Sequence, residues 1–209
     1  MKEVIGYHWP ILEEKNAYRM SYEQQGIELS FSIHDLVADR TYTCLINYIN
    51  NSLEWLRKVK AIVNKKSILI GSDHAGFELK EILKAYLKEL GYEVKDEGTH
   101  STDRADYPDY AHRLAEGIIN NEAEFGVLLC GSANGVSMAA NKHKGVRSAI
   151  AWNAELATLA RAHNDANVLS LPARYITVKE AKEILNAFLD ATFDGGRHAE
   201  RVNKINKTT

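Results

Sequence analysis

Phe125-Gly126-Val127-Leu128-Leu129-Cys130-Gly131-Ser132-Ala133-Asn134-Gly135, followed by the helix-like run Val136 to His143, is the stretch whose reading decides the fold. A short apolar run ends in a thiol; glycines and small polar residues follow, and helical spacing begins. Strand, tight turn and helix N-terminus in that order leave unpaired backbone N–H groups pointing outward, a cradle for an oxyanion or phosphate. The same dipole is expected to favour the thiolate of Cys130. Two readings are open here. Either a base or nucleophile stands on the lip of an anion cradle, or Cys130 is a small buried hydrophobe and the glycines only turn the chain.

Working outward, strand and helix patterns alternate from Ser67 to the C-terminus. Ile68 to Gly71 reads as a buried strand, and Ala75 to Leu90 as a helix carrying Phe77, Leu79, Ile82, Leu83, Tyr86, Leu87 and Leu90 at helical spacing, closed by Gly91. Tyr92 to Val94 is a weak second strand, and Tyr107 to Asn120 a helix with Pro108 in its tolerant first turn. After the decisive stretch come a strand over Val146 to Ala151, a helix over Glu155 to Ala162, and a strand over Asn167 to Leu171. The last long helix, Thr177 to Phe193, opens with a capping box formed by Thr177 and Glu180. Five strands alternating with helices predict an α/β fold, a Rossmann-like, doubly wound, five-stranded parallel sheet in three layers. Ligands of such sheets bind outside the carboxyl ends of the strands, where every polar cluster of the sequence is expected to fall.

The 209 residues suffice for one well-buried α/β domain with length to spare. A net charge of -2 and a pI near 6.5 carry no electrostatic footprint for nucleic acid or an anionic membrane. No apolar stretch approaches a membrane span, and the two cysteines, Cys44 and Cys130, show no framework spacing, so a reducing, cytoplasmic setting is expected. No CxxC or HExxH spacing occurs, and neither a metal nor a cofactor is called for.

Three further clusters carry chemistry. Gly71-Ser72-Asp73-His74-Ala75-Gly76 has the glycine spacing of a P-loop, but Phe77-Glu78 stands where Lys and Ser or Thr are required, so a nucleoside-triphosphate site fails. Asp73 and His74 remain, facing a ligand crevice or, for Asp73, capping the helix. His163-Asn164 lies between helix and strand, as a site pair or as a satisfied loop histidine. Gly195-Gly196-Arg197-His198-Ala199-Glu200-Arg201 puts two guanidinium groups one helical turn apart, suited to a phosphate unless the segment is a solvated charged tail.

GSDHAG (71–76), DYPDYA (106–111), CGSANG (130–135) with MAANK (138–142), ARAHNDANVL (160–169) and GGRHAERV (195–202) resemble, in order, the motifs of the type B ribose-5-phosphate isomerases. That family belongs with the galactose-6-phosphate isomerase subunits. The resemblance spans Ser67 to the C-terminus. It implies a metal-free aldose–ketose isomerase acting on a sugar phosphate, a homodimer or homotetramer with active sites shared between subunits. On this resemblance Cys130 is the base at the second carbon of ribose 5-phosphate, and His163 the acid/base that opens the furanose ring. Gly131, Ser132, Ala133, Asn134 and Gly135 form the loop whose amides hold the enediolate oxygen. Asp73, His74 and Asn164 contact sugar hydroxyls and ring oxygen. Arg174, Arg197 and Arg201 clamp the phosphate with His198 beside them, and Tyr107 is a further contact. Val136 stands where one branch of the family has a glutamate base, which places this chain in the cysteine branch. Ala133 departs from the glycine of many members, so a six-carbon substrate (allose or galactose 6-phosphate) stays open beside ribose 5-phosphate. A binding protein without turnover is the alternative from another class, against which stand Cys130 and His163 together.

Residues 1–66 lack the alternating rhythm. Leu45, Ile49, Leu53, Leu56, Val59 and Val63 predict one amphipathic helix, too charged at Glu54, Arg57, Lys58 and Lys60 for a membrane span. Family members begin a few residues before the first strand, so residues 1–62 are expected to be an upstream gene-model extension with Val63 as the natural start. The isomerase domain is then 67–209, and intact mass of the native protein decides the point.

Overall fold

The computed structural model describes residues 67–205 and, as backbone, three strands nearer the N-terminus. The chain divides into two compact units, Met1–Arg57 and Lys58–Thr209. In the first, β1 (Tyr18–Gln25), β2 (Glu28–Asp35) and β3 (Arg40–Asn47) form an antiparallel sheet in that order. Tyr18 pairs with Asp35 and Gln25 with Glu28, while Glu28 pairs with Asn47 and Asp35 with Arg40. The helix expected from Leu45 is corrected at its start, because Leu45 to Asn47 belong to β3. Ladder pairing with β2 decides their conformation over helical spacing. The rest of that expected helix lies outside the described residues.

The second unit is the expected α/β sandwich. Its elements run β4 (Ser67–Ser72), α1 (Phe77–Glu89), β5 (Glu93–Asp96), α2 (Tyr107–Ile119), β6 (Phe125–Cys130), α3 (Asn134–Ala140), β7 (Ser148–Ile150), α4 (Ala154–Asn164), β8 (Val168–Pro172), α5 (Val178–Asp190) and α6 (Arg197–Ile205). All five strands are parallel, in the order β5-β4-β6-β8-β7. The pleat sends alternate side chains to opposite faces. Ile68, Ile70, Phe125, Val127, Leu129, Leu169 and Leu171 meet Leu83, Leu87, Ala157, Ile184 and Phe188 on the side of α1, α4 and α5. Leu69, Leu128, Cys130 and Val168 meet Ala111, Leu114, Val136 and Ala140 on the side of α2 and α3. With both faces covered, the strands must be apolar throughout, which is why β6 is buried at every position.

Local chemistry sets the element ends. Thr177 caps α5 through its hydroxyl while Glu180 reaches back to the Thr177 amide, completing the predicted capping box. Fully buried Lys80 on α1 places its Nζ 2.6 Å from Asp96 at the end of β5, and Lys84 makes the same contact. Glu81 also lies 2.6 Å from the Lys80 Nζ, so two carboxylates compensate the buried ammonium. The connection from β4 goes to one side, into β5, whereas its other neighbour is β6. Between β4 and β6 the winding therefore reverses, and a crevice opens outside their carboxyl ends. Among the described residues no helix is long and apolar enough to cross a membrane.

Candidate active site

At that reversal the chain places Asp73 just beyond β4 and Cys130 as the last residue of β6. Asp73 is 5% exposed, and its Oδ1 accepts from the amides of Ala75 (3.0 Å) and Gly76 (3.1 Å). The aspartate thus does both things its sequence position allowed, turning the chain into α1 and presenting Oδ2 to the crevice. The thiol of Cys130 donates to that Oδ2 at 3.0 Å. Gly76 permits this approach, since a Cβ there would lie 2.6 Å from the carbonyl carbon and oxygen of Leu129.

The electrostatics at the thiol correct the expectation of a ready thiolate. Burial first, and the Asp73 carboxylate second, push the Cys130 thiol up to about 11, while the amides of Gly131 and Ser132 pull the other way. With Cys130 only 9% exposed, desolvation and a like charge outweigh the two amides. The thiol therefore keeps its proton and donates it in the hydrogen bond to Asp73. The amides of Gly131 and Ser132 point toward the Cys130 sulfur.

The loop itself is tightly specified. Ala133, wholly buried, adopts φ +64°, the left-handed region that disfavours a side chain. A Cβ on Gly135 would come 2.5 Å from the Tyr107 ring, so Tyr107 lies directly over the loop. Ser132 and Asn134 are exposed and joined by a 3.3 Å hydrogen bond. Arg174 follows β8; its amide donates to the Gly131 carbonyl at 3.2 Å, and its side chain passes over Gly131. His74 is half-buried, with Nδ1 3.2 Å from the Ala105 carbonyl oxygen and 3.3 Å from the Ala105 amide nitrogen. Asp73, His74, Tyr107, Cys130, the 131–135 loop and Arg174 thus gather at the carboxyl ends of the strands.

His163, Asn164, Arg197, His198 and Arg201 gather elsewhere. A helix crossing a parallel sheet runs back against the strands, so the C-terminus of α4, with His163 and Asn164, lies at the amino end of β8. β6 and β8 are in register from Gly126↔Val168 to Cys130↔Pro172. Four strand steps, roughly 13 Å, therefore separate this level from that of Cys130. The expectation that all polar clusters share the carboxyl edge is corrected. At the amino pole, Asp165 ends α4 with φ +47° and its carboxylate bridges Arg147 (2.7 Å) and Arg161 (2.8 Å). The His163 and His198 rings stack, centroids 4.2 Å apart and planes 9° apart. Burial, with His163, Arg197 and Arg201 close by, pushes the His198 imidazole down. Arg197 and Arg201 are exposed one turn apart on α6, as their spacing predicted. Asp194, whose Oδ2 is 3.7 Å from His163 Nε2, was missed by the sequence reading. The residue immediately before Gly195-Gly196 was the available signal.

The family model described as Ribose/Galactose Isomerase matches residues 68–205. The chain belongs to this family. Ribose-5-phosphate isomerase B of Escherichia coli is 44% identical over 140 residues, 67% of this chain and 94% of that protein. The crystal structure of a ribose 5-phosphate isomerase from Thermotoga maritima superposes with a TM-score of 0.67 at 50% identity, covering 68% of this chain and 97% of that one. Ribose-5-phosphate isomerase B from Mycoplasma genitalium, solved with bound ribulose-5-phosphate, gives a TM-score of 0.65 at 43% identity, covering 67% of this chain and 93% of that one. The family fold and the described α/β unit therefore coincide, and the strands β1 to β3 lie outside the matched residues.

Proposed function

We propose that this chain interconverts ribose 5-phosphate and ribulose 5-phosphate through an enediolate, in a site assembled from two copies. The observation that carries the two-copy reading is the separation of its parts: base, oxyanion loop and Arg174 at one edge of the sheet, ring-opening histidine and paired arginines at the other. One copy alone cannot bring Cys130 and His163 to a single small sugar. A two-fold pairing that sets the carboxyl pole of one subunit against the amino pole of the next completes both sites at once.

In that site the partner's His163 donates to the ring oxygen and accepts the proton of the hydroxyl on the first carbon, opening the furanose. The Cys130–Asp73 pair then acts as base. The thiol proton moves to Asp73, and the resulting thiolate takes the proton from the second carbon, so the pair never carries two negative charges 3.0 Å apart. Amides of Gly131 and Ser132, with the following loop to Gly135, hold the oxygen on which charge develops; one such donor typically contributes about 3–4 kcal/mol. The hydroxyl proton on the second oxygen then passes to the first oxygen, Cys130 returns its proton to the first carbon, and Asp73 gives its proton back to the sulfur, so the pair is restored. Arg174 and the partner's Arg197 and Arg201 fix the phosphate, and His74 and the partner's Asn164 fix the hydroxyls, so binding far from the reacting carbons holds the open chain in place. The setting is cytoplasmic, the partner is a second copy of the chain, and no resident metal or cofactor takes part in turnover. The isomerase unit is 67–209.

A six-carbon sugar phosphate is the second reading, resting on Ala133, whose wholly buried methyl stands at φ +64° in the loop after β6. An isomerase assay on ribose 5-phosphate, allose 6-phosphate and galactose 6-phosphate separates the two. Ribose 5-phosphate should have the highest kcat/KM, and Cys130→Ala should lose turnover by about 1,000-fold while still binding phosphate ligands. A Cys130→Ala enzyme with unimpaired turnover would falsify the assignment of the base.

A further inference from the structure

We propose that His163, Asp194 and His198 form an inhibitory site for a borderline divalent cation of the Zn2+ type. Imidazole nitrogen and carboxylate oxygen are the donors such ions take, and one donor atom from each of the three residues lies within 4.8 Å of the other two. A tetrahedral zinc ion needs its donors roughly 3.3 Å apart. His163 Nε2 and Asp194 Oδ2 are already at 3.7 Å. The remaining contraction asks only for side-chain rotation: the rings now lie parallel and must turn their nitrogens toward a common point.

The backbone around the cluster is pre-set. The Asp194 amide donates to the Ala162 carbonyl at 2.9 Å, pinning this loop to the end of α4, and the His198 amide donates to Gly195 at 3.0 Å. Gly195 and Gly196, at φ +64° and +50°, make the tight reversal that returns α6 beside α4. His163 and Asp194 are 39% and 54% exposed, so a hydrated ion can enter, and three protein donors leave a fourth position for water. One feature weakens the site: Arg197 Nε sits 3.4 Å from His198 Nε2, and a guanidinium so close repels a cation. It predicts reversible, micromolar binding rather than a permanent structural ion.

The inhibitory part rests on the role proposed above for His163: an imidazole whose lone pair is held by a metal can no longer move a proton. The binding part does not depend on it. The test titrates the full-length protein with Co2+ alone and follows its visible absorption, then displaces it with Zn2+, in wild type and in the Asp194→Asn and His198→Gln variants. The expected result is saturable binding with half-saturation below about 100 µM, weakened at least tenfold in both variants. No saturation up to about 1 mM, or equal affinity in wild type and both variants, overturns the site. Turnover of ribose 5-phosphate is measured over the same Zn2+ range. Inhibition that follows occupancy supports the whole proposal, whereas full occupancy without inhibition keeps the site and overturns the role of His163.

Discussion

The Cys130 thiol donates a hydrogen bond of 3.0 Å to Asp73, 57 positions away in the chain, at the point where the sheet reverses its winding. This thiol is therefore tuned by a carboxylate that also turns the chain into α1.

Asp73→Asn keeps the acceptor for the Ala75 and Gly76 amides but removes the charge. Cys130 should then ionise at lower pH than in wild type, where it sits at about 11, yet kcat should fall about 100-fold because Asn cannot take the proton. Alkylation rate of the Cys130 peptide against pH, followed by mass spectrometry, reads the first effect and steady-state kinetics the second. A more acidic thiol with undiminished kcat would sink the shared-proton mechanism.

The same shift has a stability consequence. Folding raises the thiol from 9.0 to about 11. Its contribution is fully present below the unfolded value and is lost as pH climbs through the folded one. Denaturant unfolding of wild type should therefore weaken over this alkaline window more steeply than that of Cys130→Ser. Parallel slopes would contradict a thiol held protonated by the fold.

Opposite poles make the two-copy site testable by mixing. Cys130→Ala and His163→Ala should each be inactive alone. After subunit exchange in equal amounts, half the dimers are mixed and carry one intact site in two, so about a quarter of wild-type activity should return. A mixture as inactive as its parts, with exchange verified by native mass spectrometry, would place the whole site in one subunit.

Arg197→Ala and Arg201→Ala should raise KM by about tenfold each with a smaller change in kcat, since a phosphate clamp remote from the reacting carbons holds substrate and transition state alike. Inorganic phosphate should protect either variant less than wild type against thermal unfolding. A fall in kcat with KM unchanged is the contrary outcome.

Ala133 sits at φ +64° with its methyl wholly buried. Leaving the left-handed conformation to glycine relieves about 1–2 kcal/mol, but losing a buried methyl costs about 0.8 kcal/mol and the freer unfolded chain about 0.4–1 kcal/mol. Ala133→Gly should thus change stability by less than about 1 kcal/mol, whereas Ala133→Val, β-branched in the same conformation, should cost more than about 2 kcal/mol. Calorimetric Tm values of the two variants check both.

Residues 67–205 were largely legible from their spacing. Apolar runs buried on both faces, the Thr177–Glu180 capping box and the glycine-bounded turns are local signals, and the five strands and the helices up to α5 appeared within a few residues of where those signals put them, while α6 was not drawn as an element. The strands β1 to β3 were not, because what defines them is ladder pairing between separate segments, which linear order does not display. The motifs named candidate residues for the site, since residue type and order are properties of the chain. What needed the tertiary structure was everything that depends on distance. It showed that Asp73 meets the thiol, that burial and then Asp73 keep the thiol protonated, that Asp194 joins His163, and that His163 and Cys130 lie at opposite ends of one sheet. A helix returning across a parallel sheet carries its C-terminus to the far edge, and electrostatic tuning falls off with separations that linear order does not encode.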